Sequence, residues 1–235
     1  MIRKINLEDI SNGRLYDAND MVKLAVDDCE GCHACCCATG DTLILDPYDI
    51  YRLEAGLKTD FKSLLTKHLE LRVADGVIMP FLRMDNELTI KSGEISVTEK
   101  EACTFLNSEG RCSIHECRPG ICRLFPLGRI YEGEGHRYLL MENECHKERK
   151  AKVKIKKWLE TPNFAKYEKY IDDWHAFIST VTDHITEISP ESLKSWNTVM
   201  LQKFYFTDYD ISAEFYDQFY ERLNHGDGVC GPFSD

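Results

Sequence analysis

Cysteine is the residue type with the most distinctive chemical potential in this sequence. The chain has 11 cysteines in 235 residues, and ten of them fall before residue 146. Five lie in the run CEGCHACCC, five more follow at wider spacing, and one stands near the C-terminus; they are Cys29, Cys32, Cys35, Cys36, Cys37, Cys103, Cys112, Cys117, Cys122, Cys145 and Cys230. Clustered thiols that are not paired in disulfides bind soft metals or carry redox chemistry.

A disulfide scaffold explains these cysteines poorly. The N-terminal sequence MIRKINLEDISNG lacks the apolar segment of a signal peptide, and the number of cysteines is odd. Disulfide-dense scaffolds are typical of small exported domains. We therefore expect a cytoplasmic protein with reduced thiols. Individually, Cys37, Cys117 and Cys230 could still be small buried residues without a metal.

The first three cysteines of the run have the spacing of a bacterial ferredoxin motif, C-x2-C-x2-C. The fourth cysteine of that motif is missing, because Thr39 occupies its position. We therefore expect a further ligand from another part of the chain, with Cys112 and Cys122 as candidates.

The adjacent cysteines Cys35, Cys36 and Cys37 limit how one metal can be bound. Neighbouring side chains of an extended chain point to opposite sides, so adjacent thiols indicate either two nearby metal centres or one ligand beside a bystander. Tetrahedral zinc is also compatible with these thiols, and the sequence alone does not separate zinc from iron.

Histidines and arginines lie beside the cysteines. His33, His115 and His146 could ligate metal, but hydrogen bonding is the favoured role because thiols are in surplus. A cluster held by four thiolates carries negative charge, which nearby guanidinium groups would stabilise. We expect Arg118 and Arg123 to interact with a bound cluster in this way, and ordinary ion pairing is the alternative.

The net charge of −11 argues against nucleic acid as a partner, and no segment is apolar enough to span a membrane. Nucleotide-binding loops and hydrolase motifs are missing from the sequence. We therefore expect a redox or protein partner.

The sequence predicts an α+β fold with a small cysteine-rich region followed by helices. Leu43–Leu45 resembles a short strand. Asp46-Pro47 predicts the start of a helix that ends near Gly56, and Asp60 predicts the cap of a second helix. Turns at Asp75-Gly76 and within 132–135 predict two hairpins. We place a cysteine-cluster domain at residues 1–146 and a helical region, packing on or beside it, at 147–235.

The helical region opens with the basic segment HKERKAKVKIKKWLE, which we interpret as a solvated helix face or linker. Apolar residues then recur at steps of three and four from Phe164 to Ile188, predicting one helix about 40 Å long. Two more helices follow, one from Pro190 and one around Phe215. We expect the long stripe to pack on its own chain, and a homodimer through these helices is the alternative.

Three segments together resemble the YkgJ-type cysteine-cluster family, whose members carry a zinc- or iron-chelating CxxCxxCC domain. The segments are CEGCHACC, LDPYDIYRL and CTFLNSEGRCSIHECRPGICRLFPLGR. The long motif C-x-I-x-E-x-R-P-x-x-C-R-x-F-P is matched by Cys112, Ile114, Glu116, Arg118, Pro119, Cys122, Arg123, Phe125 and Pro126. The resemblance implies metal ligands at Cys29, Cys32, Cys35, Cys36, Cys103, Cys112, Cys122 and Cys145.

The triple cysteine leaves open whether Cys35 and Cys36 or Cys36 and Cys37 correspond to the family's CC pair, and Cys117 is an addition within the long motif. Our first hypothesis is an iron–sulfur protein, with [4Fe-4S] or two centres and a redox, sensing or assembly role. The second is a zinc-binding structural protein. The third is an enzyme similar to the flagellin lysine N-methylases, which share the cysteine cluster, although this sequence has no recognisable cofactor loop.

Overall fold

The computed structural model describes residues 10–25, 32–37, 42–92, 95–133, 135–142, 144–145 and 147–224. The fold is α+β, as the sequence predicts. The strands are β1 Leu15–Tyr16, β2 Met21–Ala25, β3 Leu69–Ala74, β4 Val77–Leu82, β5 Asn86–Ser92, β6 Ile95–Ala102, β7 Leu127–Tyr131, β8 His136–Leu140 and β9 Lys150–Lys154. The helices are α1 Pro47–Leu57, α2 Phe61–Lys67, α3 Gly120–Leu124, α4 Ile155–Trp158, α5 Phe164–Thr182, α6 Pro190–Leu201 with a π-helical extension Gln202–Phe206, and α7 Phe215–Asn224.

The strands form small antiparallel sheets. β1, β8 and β7 make a three-stranded sheet, and three pairs, β2–β9, β3–β4 and β5–β6, make two-stranded ones. Among the helices of the described ranges, none is long and apolar enough to cross a membrane.

Helix α1 begins where the sequence predicts. The Asp46 carboxylate accepts a hydrogen bond from the Asp49 backbone N–H at 2.9 Å, and the Asp49 carboxylate accepts one from the Asp46 N–H at 3.3 Å. This reciprocal pair satisfies free amides at the first turn, and Pro47 has no amide to satisfy there. The helix ends at Leu57, one residue beyond Gly56, because Lys58 adopts a left-handed conformation with φ 52°.

Both predicted hairpins are present. At the β3–β4 turn, Asp75 and Gly76 have φ of 49° and 83°, the two positive values that a tight two-residue turn requires. β7 and β8 form the second hairpin. The predicted strand Leu43–Leu45 is reduced to a single bridge between Ile44 and Phe81, because only the amides of Leu45 and Leu82 form hydrogen bonds across it.

The basic segment after residue 146 contains strand β9, which its interpretation as a solvated helix face or linker did not predict. Residues Lys150–Lys154 pair along their whole length with Met21–Ala25, 125 or more positions earlier in the sequence. Helix α4 covers only the next four residues. Because the pairing partner is distant in sequence, the local composition of the basic segment could not predict this strand.

The long C-terminal helix is shorter than its apolar stripe. α5 has 19 residues, about 28 Å, and ends at Thr182. Beyond α5 the His184 amide donates to the Val181 carbonyl, and the Glu187 amide donates to the His184 carbonyl. These bonds span three residues and form tight turns that contain Ile185, and Ile188 follows them.

The stripe of α5 is buried within the chain. Ile171, Trp174 and Val181 are at most 6% exposed, and the ring of Trp174 meets the Phe219 ring of α7 edge-on at 6.1 Å. The stripe of α5 therefore packs on its own chain, and the alternative of a homodimer stays a prediction.

One hydrophobic core joins the cysteine-rich part to the C-terminal helices. It contains Leu53 of α1, Phe81 of β4 and Trp174 of α5, among many other residues between 37 and 219. The backbone amide of Tyr48 donates a hydrogen bond to the Tyr170 hydroxyl at 3.1 Å, and that hydroxyl donates to the Asp46 carboxylate at 3.0 Å. The boundary at residue 146 stays a prediction, but the packing crosses it.

Candidate metal centre

The cysteine run is fixed to the end of strand β6 by backbone hydrogen bonds. Cys35 and Cys36 lie in a one-turn 3-10 helix, Ala34–Cys36, and the Cys103 amide donates to the Cys36 carbonyl at 2.8 Å. Cys37 forms an antiparallel bridge with Ala102. These bonds bring cysteines almost 70 positions apart in sequence next to each other.

The loop after Cys103 brings in Cys112. The Asn107 side chain accepts hydrogen bonds from the amides of Glu109 and Arg111 at 3.1 and 2.9 Å, and Leu106 and Cys112 form a bridge. A compact turn therefore returns the chain to the neighbourhood of Cys103.

Helix α3 carries Cys122. Its first amide, that of Gly120, donates to the Asp49 carboxylate of α1 at 2.6 Å. Asp49 is 2% exposed, and burial, followed by the nearby Asp46, raises its pKa to about 7. Asp49 therefore links the start of α1 to the start of the helix that bears Cys122, and sequence reasoning gave it no such role.

Five described thiols form one group, which we call the five-thiol group: Cys35, Cys36, Cys103, Cys112 and Cys122. Burial raises the pKa of Cys122 well above its ordinary value, and Cys103, Cys112 and Cys35 lie close enough to raise it further. Burial likewise raises the pKa of Cys103 to about 11. Four separate chain segments thus bring thiols near one another.

Cys35 and Cys36 are directly hydrogen-bonded within this group. A hydrogen bond from the Cys36 thiol lowers the pKa of Cys35 to about 7. The same bond, with burial, raises the pKa of Cys36 far above its ordinary value. Cys35 is therefore the thiol of this pair that ionises first.

Arg118 lies beside the group. Its guanidinium lowers the pKa of Cys35 and of Cys112, in each case after larger local effects. It donates a hydrogen bond to His115 Nε2 at 2.8 Å and lies 3.7 Å from a Glu160 carboxylate oxygen. Its Nε is buried without a hydrogen-bond partner among the described residues. His115 therefore acts here as a hydrogen-bond acceptor.

Arg123 is hydrogen-bonded to Arg118 and to the chain after α4. This side chain is 2% exposed; it donates to the carbonyls of Arg118 and Leu159 at 3.2 and 3.1 Å and to the Thr161 hydroxyl. Its guanidinium lies 5.5 Å from the centre of the Tyr167 ring. These bonds tie α3 to the C-terminal part, and a contact of Arg123 with a bound cluster stays a prediction.

The remaining cysteines have different surroundings. Cys32 and Cys145 are half-buried, and their role as ligands stays a prediction. Cys29, His146 and Cys230 lie outside the described residues. Cys117 packs against α1, where a methyl group added at Gly56 would lie 2.6 Å from its sulfur, and it also lies close enough to Cys112 to raise the pKa of that thiol.

Cys37 lies near Glu99 as well as near two members of the five-thiol group. Burial raises the pKa of Cys37 to about 11, and among the neighbouring side chains Glu99 contributes more than Cys103 and Cys35. Glu99 has no sequence signal that would have marked it, since it is one of several carboxylates on an ordinary strand.

The five-thiol group fits a soft metal ion or a metal cluster. Its members are all sulfur donors, and burial of so many thiols opposes their ionisation unless a cation compensates the charge. Thiolates select zinc, copper(I) and iron–sulfur clusters over hard cations such as magnesium.

Comparison with known proteins agrees with this chemistry. Residues 28–152, more than half of the chain, match the CxxCxxCC family model, described as a "putative zinc- or iron-chelating domain". A search of curated proteins found no match, and neither did a search of solved structures.

Proposed function

The chain belongs to the CxxCxxCC family of zinc- or iron-chelating domains, and from this premise we propose that it is an iron–sulfur protein. The proposed ligands are drawn from Cys29, Cys32, Cys35, Cys36, Cys103, Cys112, Cys122 and Cys145. A bound [4Fe-4S] cluster would supply one-electron redox chemistry, suited to electron transfer, sensing or cluster assembly.

The observation that carries the proposal is the five-thiol group. A mononuclear zinc site is complete with four ligands, whereas five described thiols already share this place. A further cysteine from the ferredoxin-like spacing, Cys32, lies in the same short segment. A surplus of sulfur over any other donor favours a sulfur-rich cluster.

The charge around the group also supports an iron–sulfur cluster. Four thiolates give such a cluster a net negative charge, and Arg118 brings a guanidinium to Cys35 and Cys112. The buried Nε of that guanidinium is a donor without an acceptor in the described part of the chain, and cluster sulfur would be a suitable acceptor.

Anaerobic purification tests the proposal. We expect brown protein with broad visible absorption, and iron and acid-labile sulfide in about equal amounts. Colourless protein with stoichiometric zinc and no sulfide would overturn the iron–sulfur proposal in favour of the zinc protein.

Serine variants test the ligand set. Cys36→Ser and Cys122→Ser should each lose most of the bound iron and sulfide, because each removes a thiol from the five-thiol group. Cys117→Ser is the matched control: it removes a thiol from the same motif, but one that packs against Gly56, and it should keep both. Loss of iron in Cys117→Ser alone would contradict the assignment.

A further inference from the structure

A second set of possible metal ligands lies outside the five-thiol group. It consists of one imidazole, one thiol and one carboxylate, from His33, Cys37 and Glu99. One ligand atom of each residue lies within 4.8 Å of the corresponding atom of the other two. None of the three is needed for the proposed iron–sulfur ligand set.

The backbone separates Cys37 from its neighbour Cys36. Cys36 ends the 3-10 turn, whereas Cys37 is extended with φ −129° and ψ 144°. The Cys36 thiol bonds to Cys35. Cys37 instead forms a bridge with Ala102, so Cys37 lies beside β6, the strand that contains Glu99. Two adjacent thiols can therefore serve two different centres without strain.

His33 reaches the same place from the other side of the turn. The Cys36 amide donates to the His33 carbonyl at 2.8 Å, which fixes the turn between His33 and Cys37. The Nε2 atom of His33 lies 3.9 Å from a Glu99 carboxylate oxygen. Its Nδ1 side faces Gly110, where an added Cβ would lie only 3.1 Å away, so a glycine there leaves room for the ring.

The distances suit a metal after a small contraction. Zinc binds nitrogen, oxygen and sulfur at about 2.0–2.3 Å, which places tetrahedral ligand atoms about 3.3–3.7 Å apart. Side-chain rotations that move each ligand atom by about 1 Å would therefore complete the site. The side chains of His33 and Glu99 are 27% and 32% exposed, so an ion can enter from solvent.

The ligand types indicate which ion. Imidazole, thiolate and carboxylate are the three side-chain ligands of zinc, and three protein ligands leave the fourth position of a tetrahedron open to water. Iron–sulfur clusters, in contrast, are held chiefly by thiolates. We propose that His33, Cys37 and Glu99 form a second metal site that binds one zinc ion with an open coordination position.

Metal analysis of the full chain tests the site. Wild type, His33→Gln, Glu99→Gln and Cys37→Ser are equilibrated anaerobically with zinc alone, freed of loosely bound metal, and analysed for zinc, iron and sulfide. Each variant should hold one zinc fewer than wild type, with iron and sulfide unchanged. Glu101→Gln, an exposed carboxylate two residues along the same strand, is the matched control and should keep the wild-type zinc content.

The outcomes separate this site from the five-thiol group. Wild-type zinc content in Glu99→Gln or His33→Gln overturns the proposal. Loss of iron in Cys37→Ser also overturns it, because Cys37 would then serve the first centre. If the first centre itself holds zinc, the iron–sulfur proposal fails, but the one-zinc difference between wild type and Glu99→Gln still decides the second site.

Discussion

At the scale of single residues, Arg118 brings a positive charge to the five-thiol group. Its guanidinium is held by His115 and Glu160 and lies beside Cys35 and Cys112. The sequence predicted a guanidinium near the cysteines. It could not show that Arg123 would donate to Leu159 and Thr161, because side-chain direction depends on what packs around α3.

The arginine beside the thiols predicts a change in redox potential. In the iron–sulfur protein, Arg118→Gln should make the reduction potential more negative by tens of millivolts, because the extra negative charge of the reduced cluster loses a nearby cation. Arg118→Lys should restore part of the shift. Protein-film voltammetry measures the reduction potential. The control is Arg83→Gln, which removes a charge paired with Asp85. Equal potentials in wild type and Arg118→Gln would contradict the placement.

Glu54 predicts a pH dependence of stability. It is 7% exposed, and burial raises its pKa to about 7 from an ordinary 4.5. The folded protein therefore holds this proton more tightly than the unfolded chain. The stabilisation from the neutral form is complete below pH 4.5 and is lost as the pH rises through 7.

Urea denaturation of wild type and Glu54→Gln at pH 5 and pH 8 measures this effect. Relative to Glu54→Gln, wild type should lose about 2–3 kcal/mol of unfolding free energy between the two pH values. Glu87→Gln, an exposed carboxylate, should follow wild type. A pH-independent difference would show that Glu54 ionises normally.

At the scale of elements, local signals were reliable and distant pairings were not. The cap at Asp46 and the turn at Asp75-Gly76 act on residues three or fewer positions away, so the sequence contains the whole interaction. The hairpin β5–β6 is local in sequence and still went unpredicted, and so did the pairing β2–β9. The pairing β2–β9 joins strands more than 120 residues apart. Packing of the whole chain determines that these two strands meet. The same holds for Glu99 beside Cys37.

The contact between α1 and Cys117 predicts an unusual effect of alanine. Alanine is a better helix former than glycine by about 1 kcal/mol. At position 56, however, the alanine methyl would lie 2.6 Å from the sulfur of Cys117 and 2.8 Å from the Cβ of Cys117. Gly56→Ala should therefore lower the unfolding free energy by about 1–2 kcal/mol, measured by chemical denaturation. A more stable variant would mean that Cys117 does not pack against this helix.

At the scale of the whole molecule, the metal-binding part and the helices share one core. α1 contacts both the metal-binding part and the helices. Its Asp49 carboxylate accepts a hydrogen bond from Gly120 of α3, and its Tyr48 ring stacks on Tyr216 of α7 at 5.5 Å. The rings of Tyr48, Tyr170 and Tyr216 pack directly on one another. A metal should therefore stabilise the cysteine-bearing loops far more than the helical core.

Metal removal tests this division of stability. After anaerobic chelation, amide hydrogen exchange should accelerate in residues 103–124, where short turns depend on the thiols being gathered, and should stay slow in α5 and α6. Circular dichroism should retain most of its helical signal. Uniform loss of protection across the chain would show instead that the core cannot persist without the metal.

The pairing of β2 with β9 affects how easily the thiols gather. Ala25 and Lys150 face each other across this ladder, so the two ends of the cysteine-bearing segment are held about 5 Å apart. The segment is therefore a closed loop of chain, and part of the entropy lost when distant thiols meet is already lost when the two strands pair.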